Sequence, residues 1–151
     1  MKPNVSGLAL GVFLLGMSGA VRAADVQLHA VLDGTPLVPA TDSSGSGEAR
    51  AVVRDDGTVR ISVAFAGLAS LVMAVELHTG ARNATGPAVA KLDVRETSAG
   101  MAVNQQLTLD AGPAADMRAG NSYLLVTTAD RPSGALRGQL VPQPVRLPAA
   151  P

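Results

Sequence analysis

Residues 58–80, TVRISVAFAGLASLVMAVELHTG, carry the clearest pattern in the chain. In the first half, Val59, Ile61, Val63 and Phe65 fall on one side of an extended backbone, and Thr58, Arg60, Ser62 and Ala64 fall on the other. Period two over eight positions marks a strand with one buried face. After the break GLASL, the segment VMAVELHTG sets Val75 and Leu77 against Glu76 and His78. The pattern predicts two strands that are neighbours in one sheet.

Working outward, EARAVVR (48–54) precedes Asp55, Asp56 and Gly57, whose turn chemistry predicts a hairpin with 58–66. Farther upstream, DVQLHAVLD (25–33) alternates Val26, Leu28, Ala30 and Leu32 with Gln27, His29 and Val31, a first strand. Residues 34–47 hold two Pro and three Gly besides several Ser and Thr, and read as a long surface connection. Downstream, ARNATGP (81–87) has turn composition, 88–94 reads as a strand, 95–101 as a polar loop and 104–109 as a short strand. Pro113 to Gly120 suits one short helix, with Asp116 and Arg118 in it. Asn121 to Thr128 is apolar on both faces and reads as a central strand, and 135–141 as the last one. No long helical pattern exists to make crossovers between parallel strands. The predicted class is all-β: an antiparallel, Greek-key-like β-sandwich or flattened barrel of seven to eight strands.

The 151 residues suffice for one domain. The start reads as a leader. Lys2 precedes the apolar run Val5–Met17, and VRA at 21–23 resembles a cleavage site. The expectation is a signal peptide over 1–23, a β domain over 24–141 and a disordered Pro-rich tail over 142–151. A retained signal anchor is the alternative. Loss of Lys2 and Arg22 leaves ten basic residues against twelve acidic ones. That balance gives no nucleic-acid footprint, and no membrane span is expected after cleavage. The absence of Cys excludes disulfides, thiol nucleophiles and thiolate metal sites. With no Trp, one Tyr and two Phe, the core must be built from Val, Leu, Ile and Ala.

Few residues offer chemistry. Glu76 and His78 stand two apart on one strand and point the same way, which suits two metal ligands or two solvated polar groups. His29 is the only other His. No Ser sits in a GxSxG elbow, so a hydrolase would need a cleft where His78 meets a Ser and an Asp. No catalytic residue is assigned. Arg137 lies in a strand between Gly134 and Gly138; if covered, it should pair with a carboxylate such as Glu76 or donate to loop carbonyls. Tyr123 is expected at the core edge, with its hydroxyl on a backbone group. Asn83 heads the tripeptide NAT, read as a chance glycosylation match.

Several of these stretches together resemble the CHRD domain, the chordin-type module also found in bacterial exported proteins. The resemblance runs from about Val26 to Leu140. It rests on LHAVLDGTPLVPA (28–40), Gly47, Gly67-Leu68, Gly86-Pro87 and AGNSYLLVTTADRPSGALRGQL (119–140). Within the last stretch, Ala119-Gly120, Tyr123, Pro132, Gly134 and Arg137-Gly138-Gln139 fall in the family's order. The family's A-H-I-H-x-G motif is VELHTG here, with Glu76 at the first His position and His78 at the second. A third His position holds Thr127, and a Glu position holds Ala135. The H-x-H strand also gives a distant likeness to the copper/zinc superoxide dismutase sandwich, which bears on fold alone. Tyr123, Arg137, Gly138 and Gln139 are expected to be structural. The main reading is a periplasmic or secreted, non-enzymatic binding or structural module, whose expected partner is a protein or cell-envelope component reached through loops such as 34–47 and 80–87. The alternative is a copper or zinc protein using His78, Glu76 and His29.

Overall fold

Turn chemistry at Asp55–Gly57 closes the hairpin that the rest of the barrel is laid against. Gly57 takes φ +83°, its N–H donates to Arg54 O at 3.2 Å, and Asp56 Oδ1 accepts the Thr58 N–H at 2.8 Å. A β-carbon on Gly57 would stand 2.6 Å from Leu109 O, so only glycine fits. This is a computed structural model that describes Gly19, residues 23–37 and residues 40–144. Most of the expected leader and residues 145–151 of the expected tail lie outside the described residues.

The strands are β1 (Val26–Leu32), β2 (Ser46–Val53), β3 (Thr58–Ala66), β4 (Val72–Thr79), β5 (Ala88–Leu92), β6 (Val94–Thr97), β7 (Gly100–Thr108), β8 (Ser122–Thr128) and β9 (Leu136–Pro142). One helix, α1 (Ala111–Arg118), lies between β7 and β8. The hydrogen-bonded order is β5-β4-β8-β9-β1-β2-β3-β7-β6, antiparallel throughout. Its two outer strands follow one another in the chain, separated only by Asp93. Residues 88–97 therefore serve β4 with their first half and β7 with their second, which nearly closes the barrel. At the split, Gln105 Oε1 accepts the Asp93 N–H at 2.9 Å, a side chain replacing a ladder bond.

The all-β antiparallel class is observed, with nine strands among the described residues rather than seven or eight. The additional strand is β6, inside the segment expected to be a polar loop. It pairs with β7 from Val94↔Val103 to Thr97↔Gly100. Its residues are exposed or half-buried because it is an edge strand, where polar side chains are at home on both faces.

A second correction concerns β3 and β4. They are not sheet neighbours: β3 pairs with β2 and β7, while β4 pairs with β5 and β8. Gly67, at φ +80°, turns the chain out of β3 and the short linker carries it to the other side of the core. Val59, Ile61, Val63 and Phe65 then share one hydrophobic cluster with Val75 and Leu77. Burial of each such side chain contributes about 2 kcal/mol. The helix closes the barrel end through buried Ala114 and Met117. Arg118 ties it down, donating to Val53 O at 3.2 Å and Ala24 O at 2.7 Å. The start of the expected tail lies along β1: Pro142 pairs with Leu28, and Gln143 N–H donates to Gln27 O at 2.8 Å.

Candidate functional site

Core residues fix which way the others point. Val75 and Leu77 face inward, so Glu76 and His78 face out; Leu124 and Val126 face inward, so Tyr123 faces out. Leu136 and Leu140 belong to the core, so Arg137 and Gln139 face out. Five polar or aromatic side chains therefore meet on the outer face of β4, β8 and β9. Loop 80–87 folds back over them. It is pinned at its ends by Gly80 N–H to Asn121 O at 2.9 Å and Thr79 N–H to Pro87 O at 3.1 Å. At its tip Asn83 takes φ +64°.

Under this loop Arg137 is only 2 % exposed. Its Nη1 donates to Ala84 O at 2.6 Å, and its Nη2 donates to Ala81 O at 3.0 Å and to Gln139 Oε1 at 3.3 Å. The guanidinium carbon sits 3.6 Å from the centroid of the Tyr123 ring, a cation–π contact. Burial pulls the Arg137 guanidinium below its ordinary value; Tyr123 opposes that and the Arg82 charge adds to it. The sequence left two partners open for a covered Arg137, a carboxylate or loop carbonyls. The structure gives it the carbonyls.

The remaining side chains extend the same layer. Tyr123 Oη accepts the Gly86 N–H at 3.0 Å and donates to Gly86 O at 3.3 Å. Gln139 Nε2 donates to Gly80 O at 3.0 Å and Gly120 O at 2.9 Å. His78 stacks on Tyr123 with centroids 5.0 Å apart. Its Nδ1 lies 2.8 Å from Gly86 O and must donate, since a carbonyl only accepts. Its Nε2 lies 3.3 Å from Glu76 Oε2. Gly138 faces β1, where a β-carbon would come within 2.8 Å of Val31 O. The partners that the sequence did not reveal are backbone ones: Gly80, Ala81, Ala84 and Gly86. The short side chains of ARNATGP let that backbone approach, and a β-carbon on Gly86 would collide with the Thr79 carbonyl.

The alternative of a copper or zinc site at His78, Glu76 and His29 is overturned. Among the described residues, no group of three or more His, Cys, Asp or Glu could hold a metal ion. His29 is on β1, three strands from β4, a span of about 14 Å at ordinary strand spacing. It bonds Glu48 instead, at 2.7 Å. His78 has already committed Nδ1 to a carbonyl. Its partners are Gly86, Glu76 and Tyr123, so among the described residues no Ser–His–Asp arrangement forms on it either.

Beside this layer a cleft of about 440 Å³ opens along the β1–β9 seam. The two strands pair at His29↔Val141 and again at Asp33↔Arg137, and the ladder is interrupted between those points. Arg82 and Asn83 of loop 80–87 line it together with Thr35 and Pro36, and Val31 and Val141 give it exposed aliphatic surface.

Comparison with curated proteins gives no match. The model of the CHRD domain, by contrast, matches residues 28–140, from the first strand through the Arg137-Gly138-Gln139 run that holds the loop. The chain belongs to the CHRD-domain family.

Proposed function

We propose that this CHRD-domain protein is an exported, non-enzymatic binding or structural module of the periplasm or the extracellular space, and that it meets its protein or cell-envelope partner through loops 34–47 and 80–87. The supporting observation is convergence. Both loops line the same cleft, one through Thr35 and Pro36 and the other through Arg82 and Asn83. Loop 80–87 is held from beneath by Arg137, Tyr123 and Gln139, so its outer side chains are presented on a fixed backbone. Such preorganisation lowers the ordering cost of binding. The Val5–Met17 run and VRA at 21–23 support export with cleavage after Ala23.

The experiment has two parts. The full chain is expressed in its native host, and the mature mass is measured in envelope and cytosolic fractions. A photo-crosslinking residue is then placed at exposed Thr85 or, at the opposite end of β2, at Arg54. The expected result is an envelope protein starting at Ala24 that forms a discrete adduct from position 85 and none from position 54. A cytosolic, uncut protein, or equal labelling from both positions, overturns the reading.

A further inference from the structure

We propose that the β1–β9 cleft binds a short aliphatic carboxylate, with Arg82 and Arg137 receiving the anion and Val31 and Val141 receiving the chain. This rests on the binding-module reading and names the class of ligand for one part of that surface.

The charge arrangement comes first. Arg137 has no ion pair among the described residues, and neither has Arg82. Two guanidinium groups thus share one cleft without a carboxylate on either. The cleft's own acid, Asp33, accepts the backbone N–H and the hydroxyl of Thr35 on Oδ1, and its single charge does not balance two guanidinium groups. His29, also on the cleft wall, faces Glu48. The site therefore keeps an excess of positive charge.

The donors of Arg137 come second. Three of its five N–H groups are used, on Ala84 O, Ala81 O and Gln139 Oε1. Its Nε makes no hydrogen bond among the described residues, and Arg137 is one of the residues that line the cleft. A guanidinium that is 2 % exposed, without a carboxylate partner among the described residues, and borders a cleft is a charge to which a small anion would be attracted. Arg82 makes no hydrogen bond among the described residues and lines the same cleft, exposed. Asn83 and Gln143 add amide donors.

Size and lining set the rest of the ligand. A cleft of about 440 Å³ has room for a drug-sized ligand, so a short carboxylate would occupy only the part of it nearest the two guanidinium groups. Val31 is 60 % exposed and Val141 39 % exposed, apolar surface that a short alkyl chain would cover. A carboxylate matches the planar guanidinium fork, and an alkyl tail distinguishes it from an inorganic oxyanion.

The test is an amide NMR titration of the mature chain with butyrate, butyramide and inorganic phosphate as probes. Butyrate should give saturable shifts at His29, Val31, Asn83 and Gln139 in the millimolar range. Butyramide should not saturate, and phosphate should bind more weakly. Arg82→Gln, at a side chain that supports nothing in the fold, should weaken butyrate about fivefold, the worth of one exposed charge contact. Absence of saturable shifts overturns the proposal, as does equal binding of butyramide or phosphate, or an unaltered affinity in R82Q. If butyrate fails while the adduct from position 85 persists, this inference falls and the binding-module reading stands.

Discussion

Arg137 shows how one side chain can hold a loop. Its guanidinium takes the carbonyls of Ala81 and Ala84 and lies on the Tyr123 ring, while Tyr123 holds Gly86 from the next position in the layer. Removing the guanidinium strands two carbonyls under the loop. Arg137→Ala should therefore cost about 3 kcal/mol in urea unfolding, and Arg137→Lys about 2 kcal/mol, because an ammonium lacks the fork and stacks poorly. Tyr123→Phe keeps the ring and loses only the hydroxyl bonds to Gly86, for about 1 kcal/mol. An Arg137→Ala protein as stable as wild type would show that the loop holds itself. The sequence placed Arg137 on the polar side of its strand, where solvent is the usual neighbour. It could not say that a loop 50 or so residues away covers that side, because a carbonyl partner leaves no mark in side-chain identity. The same limit hid the fate of His78. A Glu–x–His pair reads as two ligands or two exposed groups, and only the loop's return decided for a hydrogen bond to Gly86.

Among the elements, β3 was fully legible. Its four inward residues follow strict alternation, and each is at most 3 % exposed. Ile61→Ala should cost about 3 kcal/mol through lost burial and the cavity left behind, whereas Arg60→Ala, on the outward face, should stay within about 0.5 kcal/mol. Similar losses at both positions in thermal or urea unfolding would contradict the assigned faces. Partnership was not legible in the same way. Alternation tells which side of a strand is buried and says nothing about whether the covering surface lies beside it or across the core. Hence β3 and β4 read as sheet neighbours, although they meet across the interior. The β2–β3 pairing was readable because Asp55–Gly57 names its own turn. β6 escaped because an edge strand shows no apolar face, and Arg95, Glu96 and Thr97 look like loop residues until their backbone pairs with β7.

At the scale of the whole molecule, the connections between strands are fastened by exposed charges rather than by disulfides, since the chain has no Cys. Asp42 of the β1–β2 connection meets Arg131 of the β8–β9 turn at 2.7 Å. Glu48 joins β2 to β1 through His29 and also accepts from Arg50. Asp130 accepts the Thr128 hydroxyl at 2.7 Å. The Arg131 hydrogen bond holds the Asp42 carboxyl below the ordinary range, the His29 and then the Arg50 bonds do so for Glu48, and the Thr128 bond does so for Asp130. A carboxylate depressed on folding adds stability above its unfolded pKa, and that stability is lost as pH falls through the folded value. The barrel should therefore weaken as pH drops below about 5, through and beneath the ordinary carboxylate range. The triple variant Asp42→Asn, Glu48→Gln, Asp130→Asn should start less stable at about pH 6 and lose less on acidification, the two proteins converging as pH falls through the depressed native values. Each contribution is small because all three groups are exposed and salt screens them, so added salt should also narrow the gap at about pH 6. Urea midpoints across that pH range decide the matter: parallel acid slopes for the two proteins would place the proton-sensitive contacts elsewhere in the fold.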